Sequence, residues 1–173
     1  MKNKLAISLW LLALPAGLFA AAVVYQGGQG AGKAQAAKPV VAPAHITVGT
    51  SDLKWTPLFL GLESAVVSGD PSKAGAPFVM RVRARTAAAV PAHRHPQDEN
   101  VTVLAGTIKL GMGAKYDEKA LHPVATGAYS FVPKNMRHFA WHAPNSVIQI
   151  HGTGPFEIYF VNPAEDPRKP AGK

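Results

Sequence analysis

His93 and His95 stand two apart in the stretch PAHRHPQDENVTVLAG, residues 91–106, and Glu99 follows four residues later. On an extended strand, residues i and i+2 leave the same face, so both imidazoles point one way. Two imidazoles and a carboxylate presented this closely suit a divalent transition metal. A second patch, PKNMRHFAWH at residues 133–142, can add a third imidazole from His138. The competing reading is bland: a surface or core-edge pair of histidines, with Glu99 exposed in an acidic turn beside Asp98. The alternating run VTVL after Glu99 weighs toward burial, where a glutamate needs a partner. In RHFAWH, parity sets His138, Ala140 and His142 on one face and Arg137, Phe139 and Trp141 on the other. His142 thus points toward the same cavity as His138, and it is read as supporting the site rather than ligating. Three roles stay open to it: hydrogen-bond donor behind the ligands, proton shuttle, or exposed strand-end histidine.

The elements that must position these groups are short and β-like. Phe78, Met80, Val82 and Ala84 alternate with Arg81, Arg83 and Arg85, which predicts a strand with one core face and one solvated face. Residues 46–48 form a further short strand candidate. Residues 55–67 have strand composition, with Pro57 limiting pairing near their start and a helix over 60–67 as the alternative. Residues 68–77 (SGDPSKAGAP) read as a loop. Ala105-Gly106 reads as a tight β-turn between 101–104 and 107–112, and Gly111 and Gly113 mark bends or close approach. Residues 114–119 read as a hairpin loop. Strands are expected at 121–123 and 128–132, and at 137–142 and 146–151 around a three-residue turn. FEIYFV at 156–161 reads as the strongest strand of all. Many short strands broken by Gly and Pro, with almost no helical period, indicate an all-β sandwich or barrel.

Composition bounds the rest. The 173 residues carry a net charge of +8, but residues 44–173 hold fourteen Lys plus Arg against ten Asp plus Glu, or +4. No basic, aromatic-interleaved stripe and no recognition helix appear, so nucleic acid is not an expected partner. With no Cys in the chain, disulfides, thiol chemistry and a lipoprotein anchor are excluded. Lys2 and Lys4 precede an almost wholly apolar run to Val24 that ends in small residues, the pattern of a secretory signal over 1–24. The run is long enough for a membrane anchor, but Pro15 and Gly17 weaken a spanning helix. Cleavage would leave a periplasmic or secreted protein, whereas retention would tether it to the membrane. Residues 25–44 read as a flexible Ala/Gly/Pro-rich tether, 45–164 as one β-barrel domain that is not itself embedded in a membrane, and 165–173 as a polar tail.

With these residues in place, the chain resembles the cupins, double-stranded β-helix (jelly-roll) barrels. The family's first motif places Gly, five residues, His-x-His, three or four residues, Glu, six residues and Gly in order. His93, His95, Glu99 and Gly106 match it, and Ala87 stands where the leading Gly would be. Gly127, Pro133 and His138 match the second motif, while Asn135 replaces its inner Gly and His142 its terminal Asn. Asn can still take the left-handed backbone that such a turn requires. The resemblance implies one divalent ion, Mn, Fe, Ni, Co or Zn, held by His93, His95, Glu99 and His138, with Glu99 or His142 moving a proton. It implies a small-molecule ligand, and pairing of barrels into a homodimer through sheet edges or faces. Cupins include metal-dependent oxygenases and isomerases acting on small oxygenated compounds, and also non-catalytic metal-binding or ligand-binding modules. Arg81 or Arg83 as a carboxylate clamp, and Tyr129, Gln149, His151 and Tyr159 as cavity lining, are lesser expectations. Trp55 and Trp141 read as packing or rim residues.

Overall fold

The protein is described by a computed structural model covering residues 44–169. The signal-like segment, all of the tether except Ala44, and residues 170–173 lie outside the described residues.

Eleven strands form: β1 (Thr56–Pro57), β2 (Leu62–Gly69), β3 (Pro77–Ala84), β4 (Ala88–Arg94), β5 (Glu99–Ala105), β6 (Thr107–Met112), β7 (His122–Ala125), β8 (Tyr129–Val132), β9 (His138–His142), β10 (Val147–Thr153) and β11 (Tyr159–Phe160). Among the described residues only single 3-10 turns accompany them, at Thr50–Asp52, Glu118–Ala120 and Pro163–Glu165. One sheet has the order β1-β2-β3-β10-β5-β8 and the other β11-β4-β9-β6-β7. From β3 onward, consecutive strands lie in opposite sheets except for the β6–β7 hairpin. This alternation makes the all-β jelly roll that the strand pattern predicts. Between the sheets lie Val82, Val101, Ile148 and Ile150 from one side and Val90, Ile108, Leu110 and Ala140 from the other. Each large aliphatic side chain buried there stabilises the fold by roughly 1.5–3 kcal/mol relative to exposure.

The arginine strand behaves as its alternation predicts. Phe78, Val82 and Ala84 are buried, whereas Arg83 pairs with Glu63 and lies 4.1 Å over the Trp55 ring on the outer face. Arg81 Nε donates to Gln149 Oε1 at 3.3 Å on that same face, so neither arginine clamps anything in the interior. Gly111 meets the close approach expected of it, because a Cβ there would stand 2.2 Å from Phe139 Cε2.

Three expectations are corrected. Ala105-Gly106 does not close a hairpin: β5 and β6 belong to different sheets, and the turn is a corner. Gly106 has φ +71° there, and a Cβ would meet the Ser146 main chain at 3.1 Å, where the β9–β10 corner packs beneath it. The three-residue turn at 143–145 is present as expected and joins strands of different sheets. Residues 46–48 form no strand; Ile46 is exposed and the segment has no ladder partner. FEIYFV yields only β11, because its first residues use their main chain elsewhere: Phe156 N–H donates to Pro71 and the Glu157 carbonyl takes a histidine, while Val161 N–H only extends the β4 pairing to Ala92. The helix alternative over 60–67 fails as well, since β2 occupies most of it.

Candidate metal centre

β4 brings His93 inward through an irregularity that the sequence does not announce. Ala88, Val90 and Ala92 are buried in regular alternation, which would turn His93 outward. The ladder with β9 pairs Ala88 with His142 and Val90 with Ala140, then slips by one residue so that His93 faces His138. The extra residue beside Pro91 is a β-bulge, and it reverses the parity of the residues beyond it. His93 and His138 thus become a cross-strand pair with ring centroids 4.2 Å apart. Glu99 needs no such device. It shares the phase of Val101 and Val103 and is buried with them. His95 lies just past β4, where the chain crosses from one sheet to the other.

The three imidazoles are held alike. Nδ1 of His93 donates to the Pro91 carbonyl at 2.7 Å, Nδ1 of His95 to Glu157 at 2.7 Å, and Nδ1 of His138 to Met136 at 3.1 Å. A carbonyl can only accept, so each proton sits on Nδ1 and each Nε2 lone pair is left free. Ligand atoms of the three rings lie within 4.8 Å of one another. Glu99 Oε2 stands 3.3 Å from His138 Nε2 and 3.7 Å from His95 Nε2. The second distance is too long for a hydrogen bond, and His95 Nε2 is buried with no partner. An orphaned imidazole nitrogen aimed at two other imidazoles and a carboxylate fits a metal ion, and ring N–H groups tied to carbonyls are the usual support of metal-bound histidines. Phe156 stacks on His95 with centroids 4.4 Å apart and planes 11° from parallel, fixing its tilt.

The electrostatics agree. Burial, reinforced by the neighbouring His138 and His95, pushes His93 down to about 3. Burial also lowers His95, against the pull of Glu99. Burial opposes ionisation of Glu99, yet the surrounding histidines outweigh it and hold the carboxyl at about 2. For His138, burial is overcome by the hydrogen bond and charge of Glu99, and its pKa rises. The metal-free site thus sets the Glu99 carboxylate beside His93 and His95, whose charged forms burial disfavours, while Glu99 favours the charged form of His138.

A cavity of about 220 Å³ opens over the cluster, with His93, Glu99, His138 and His142 in its wall. His142 lines it from the far end of β9, as parity predicts, and lacks the carbonyl anchor of the other three rings: its Nδ1 is buried without a partner. Burial lowers its pKa to about 4 despite Glu99. Tyr129, His151 and Tyr159 are exposed and, with Gln149, do not line the cavity, so that expectation is corrected. β8 and β10 turn Tyr129, Gln149 and His151 to the outside, while Tyr159 lies under the Arg94 guanidinium. Trp141 packs outside too, beneath Lys109 at 5.1 Å. Sequence reasoning did not find the carbonyls of Pro91, Met136 and Glu157, and main-chain acceptors leave no mark in residue type. Asn135 does take the left-handed backbone, with φ +62°, and its N–H donates to the His95 carbonyl at 2.8 Å.

A family model described as the ChrR cupin-like domain matches residues 43–157. Among solved structures, the chain is similar to the polyketide cyclase RemF from Streptomyces resistomycificus, at 18% identity over 72% of this chain and 90% of that one, with a TM-score of 0.58. A protein from Methylibium petroleiphilum PM1, provisionally named an acetylacetone dioxygenase, aligns at 17% identity over 75% and 90%, TM-score 0.54. An RmlC-like cupin from Shewanella frigidimarina aligns at 13% over 65% and 94%, TM-score 0.51. At these identities the likeness is one of fold. Among curated proteins, no sequence match was found.

Proposed function

The chain belongs to the family of ChrR cupin-like domains, and on that footing we propose that it holds one divalent transition metal ion on His93, His95, Glu99 and His138. The observation that carries this reading is the common tether of three rings, each with Nδ1 on a main-chain carbonyl and Nε2 free. Three imidazoles and one carboxylate suit Mn, Fe, Co, Ni or Zn. When bound, such an ion supplies Lewis acidity, or redox chemistry if it is Fe, Mn, Co or Ni, to an oxygen-bearing compound in the cavity. The protein's own groups would do the remainder. Glu99 is positioned to take a proton at the cluster end and His142 to hold or pass one at the other, while the apolar walls keep water out.

The function this supports is that of a metal-dependent oxygenase or isomerase acting on a small oxygenated compound. The competing outcome is ligand retention without turnover, as a tetrahedral zinc filled by four protein ligands would favour. Export is part of the proposal and rests on Lys2, Lys4 and the apolar run behind them; cell fractionation with the full chain tests it. The metal is tested by elemental analysis of protein from ordinary medium and by titration of the metal-free form with Mn, Fe, Ni or Zn. Near-stoichiometric metal, sharply reduced in His95→Ala and His138→Ala but kept in His142→Ala, is the expected result. No bound metal and no uptake on titration would overturn it. Dioxygen uptake and product formation that require the ion then separate catalysis from retention.

A further inference from the structure

His142 is a histidine with nothing to do in the fold. It is 5% exposed, its Nδ1 has no hydrogen-bond partner, and it lines the cavity. An unpaired buried polar atom costs about 1–3 kcal/mol, so its retention in a core of aliphatic side chains calls for a partner that enters from outside. His93, His95 and His138 are tied to carbonyls and converge on one point; His142 is not and stands apart. His138 and His142 are four residues apart on one strand, which separates their backbones by about 13 Å. The cavity lies between the two ends.

Its walls define what fits. Fifteen of the twenty lining residues are apolar, among them Val82, Ile108, Leu110, Ile148 and Ile150. Glu99 supplies a buried carboxylate to the wall, Glu157 borders it with its side chain exposed and bonded to the Tyr159 hydroxyl, and no Lys or Arg among the described residues lines it. One negative charge on a ligand could be met by an ion at the cluster, but a second would meet no Lys or Arg, only hydrocarbon, carboxylate and the His142 imidazole, whose charged form burial disfavours. A polyhydroxylated sugar would bury hydroxyls without partners, each at a cost of about 1–3 kcal/mol. At about 220 Å³ the space exceeds the roughly 150 Å³ that takes up benzene, so it accommodates one substituted ring.

We infer that this cavity takes a small, uncharged molecule with an apolar body and two oxygen functions set apart across it, one directed at the histidine–carboxylate cluster and the other hydrogen-bonded by His142. Only the first oxygen's partner rests on the metal proposed above. His142 is thus the specificity-determining residue for the distal oxygen.

The test is anaerobic calorimetry on the full chain, with measured metal content, in metal-free and metal-loaded forms. The probes are phenol, the 1,2-, 1,3- and 1,4-dihydroxybenzenes, phthalate and glucose. The 1,3 or 1,4 isomer should bind wild type three- to tenfold more tightly than phenol, and phthalate and glucose more weakly than either. His142→Phe, which keeps ring volume, should bring the ratio of dihydroxybenzene to phenol affinity down to about one, and His142→Gln should restore part of it. Circular dichroism and Tm establish that both variants are folded, and the wild-type comparison alone decides the case if they are not. The inference is overturned if no isomer exceeds phenol, if the gain survives in folded His142→Phe, or if phthalate or glucose binds more tightly than the dihydroxybenzenes. Because the distal hydrogen bond is read in the metal-free form as well, absence of metal would sink the proposed metal centre and leave this inference standing or falling on its own data.

Discussion

Lowering the pH of the metal-free protein should destabilise it steeply well before its carboxylates titrate. His93 and His142 are buried in the fold, and burial holds them at about 3 and about 4, against an ordinary value of 6.5. Between those limits the unfolded chain binds protons that the folded chain refuses. Stability is therefore full above pH 6.5 and is lost as pH falls below it. At pH 5 both folded values still lie below the pH, so the unfolded value sets the size: about 1.5 pH units at 1.36 kcal/mol each, or about 2 kcal/mol per histidine. His138 works in the opposite sense, because Glu99 raises it against burial; the stability it contributes is greatest below pH 6.5 and offsets part of the loss. Glu99, held at about 2, adds a further loss only below about pH 4.5. His95, also lowered by burial, adds to the loss, and the net expectation from pH 7 to pH 5 is a fall of at least about 2–4 kcal/mol. Urea unfolding of chelator-treated protein at pH 8, 7, 6 and 5 measures it, as a drop in midpoint of one to a few molar for ordinary m-values. In His142→Phe the pH-dependent part should shrink by about 2 kcal/mol, and any packing cost of the substitution cancels because each variant is compared with itself. A stability that is flat or rising from pH 7 to pH 5 would refute the picture of buried neutral imidazoles.

Gly111→Ala forces a methyl group to 2.2 Å from the Phe139 ring and 3.0 Å from the Ala120 carbonyl, so a loss of about 1–3 kcal/mol in denaturant unfolding is expected; an unchanged midpoint would mean that Phe139 moves freely. Asn135→Ala places a side chain without local hydrogen bonding at φ +62° and should cost about 1–2 kcal/mol, whereas Asn135→Gly should recover most of it. Equal stability of the two variants would remove the left-handed turn from the account. Arg83→Met should shift stability by no more than about 1 kcal/mol and leave metal content unchanged, because its partners Glu63 and Trp55 lie on the outer face; lost metal would place that face in the site after all.

The site was legible in outline because its chemistry is carried by residue type and short spacing. His93, His95 and Glu99 lie within seven residues, and His138 stands in a second patch at the spacing from Gly127 and Pro133 that the resemblance requires. The fold class was legible for a related reason: alternation such as that of Phe78 to Ala84 is imposed by a sheet with one wet face. Less could be read where pairing depends on distant partners. FEIYFV has the composition of a strand, yet its leading N–H and C=O groups serve Pro71 and His95, residues remote in the sequence. Ala105-Gly106 is a turn by any local measure, but whether a turn folds two strands together or throws them onto opposite sheets is decided by what packs beneath it, here the Ser146 corner.

By itself, then, the sequence determined a β-rich chain with three histidines and a glutamate at ligand-like spacing and a further histidine of unassigned role, because residue types and periods of two are local properties. The tertiary structure decided the rest. It placed His93 inward by a one-residue slip against β9, brought Glu99 from the opposite sheet to within 3.3 Å of His138, and tied His95 to the Glu157 carbonyl sixty-two residues away. It also left His142 alone at the end of an apolar cavity. Those relations join strands remote in sequence, and only the packing of the two sheets fixes them.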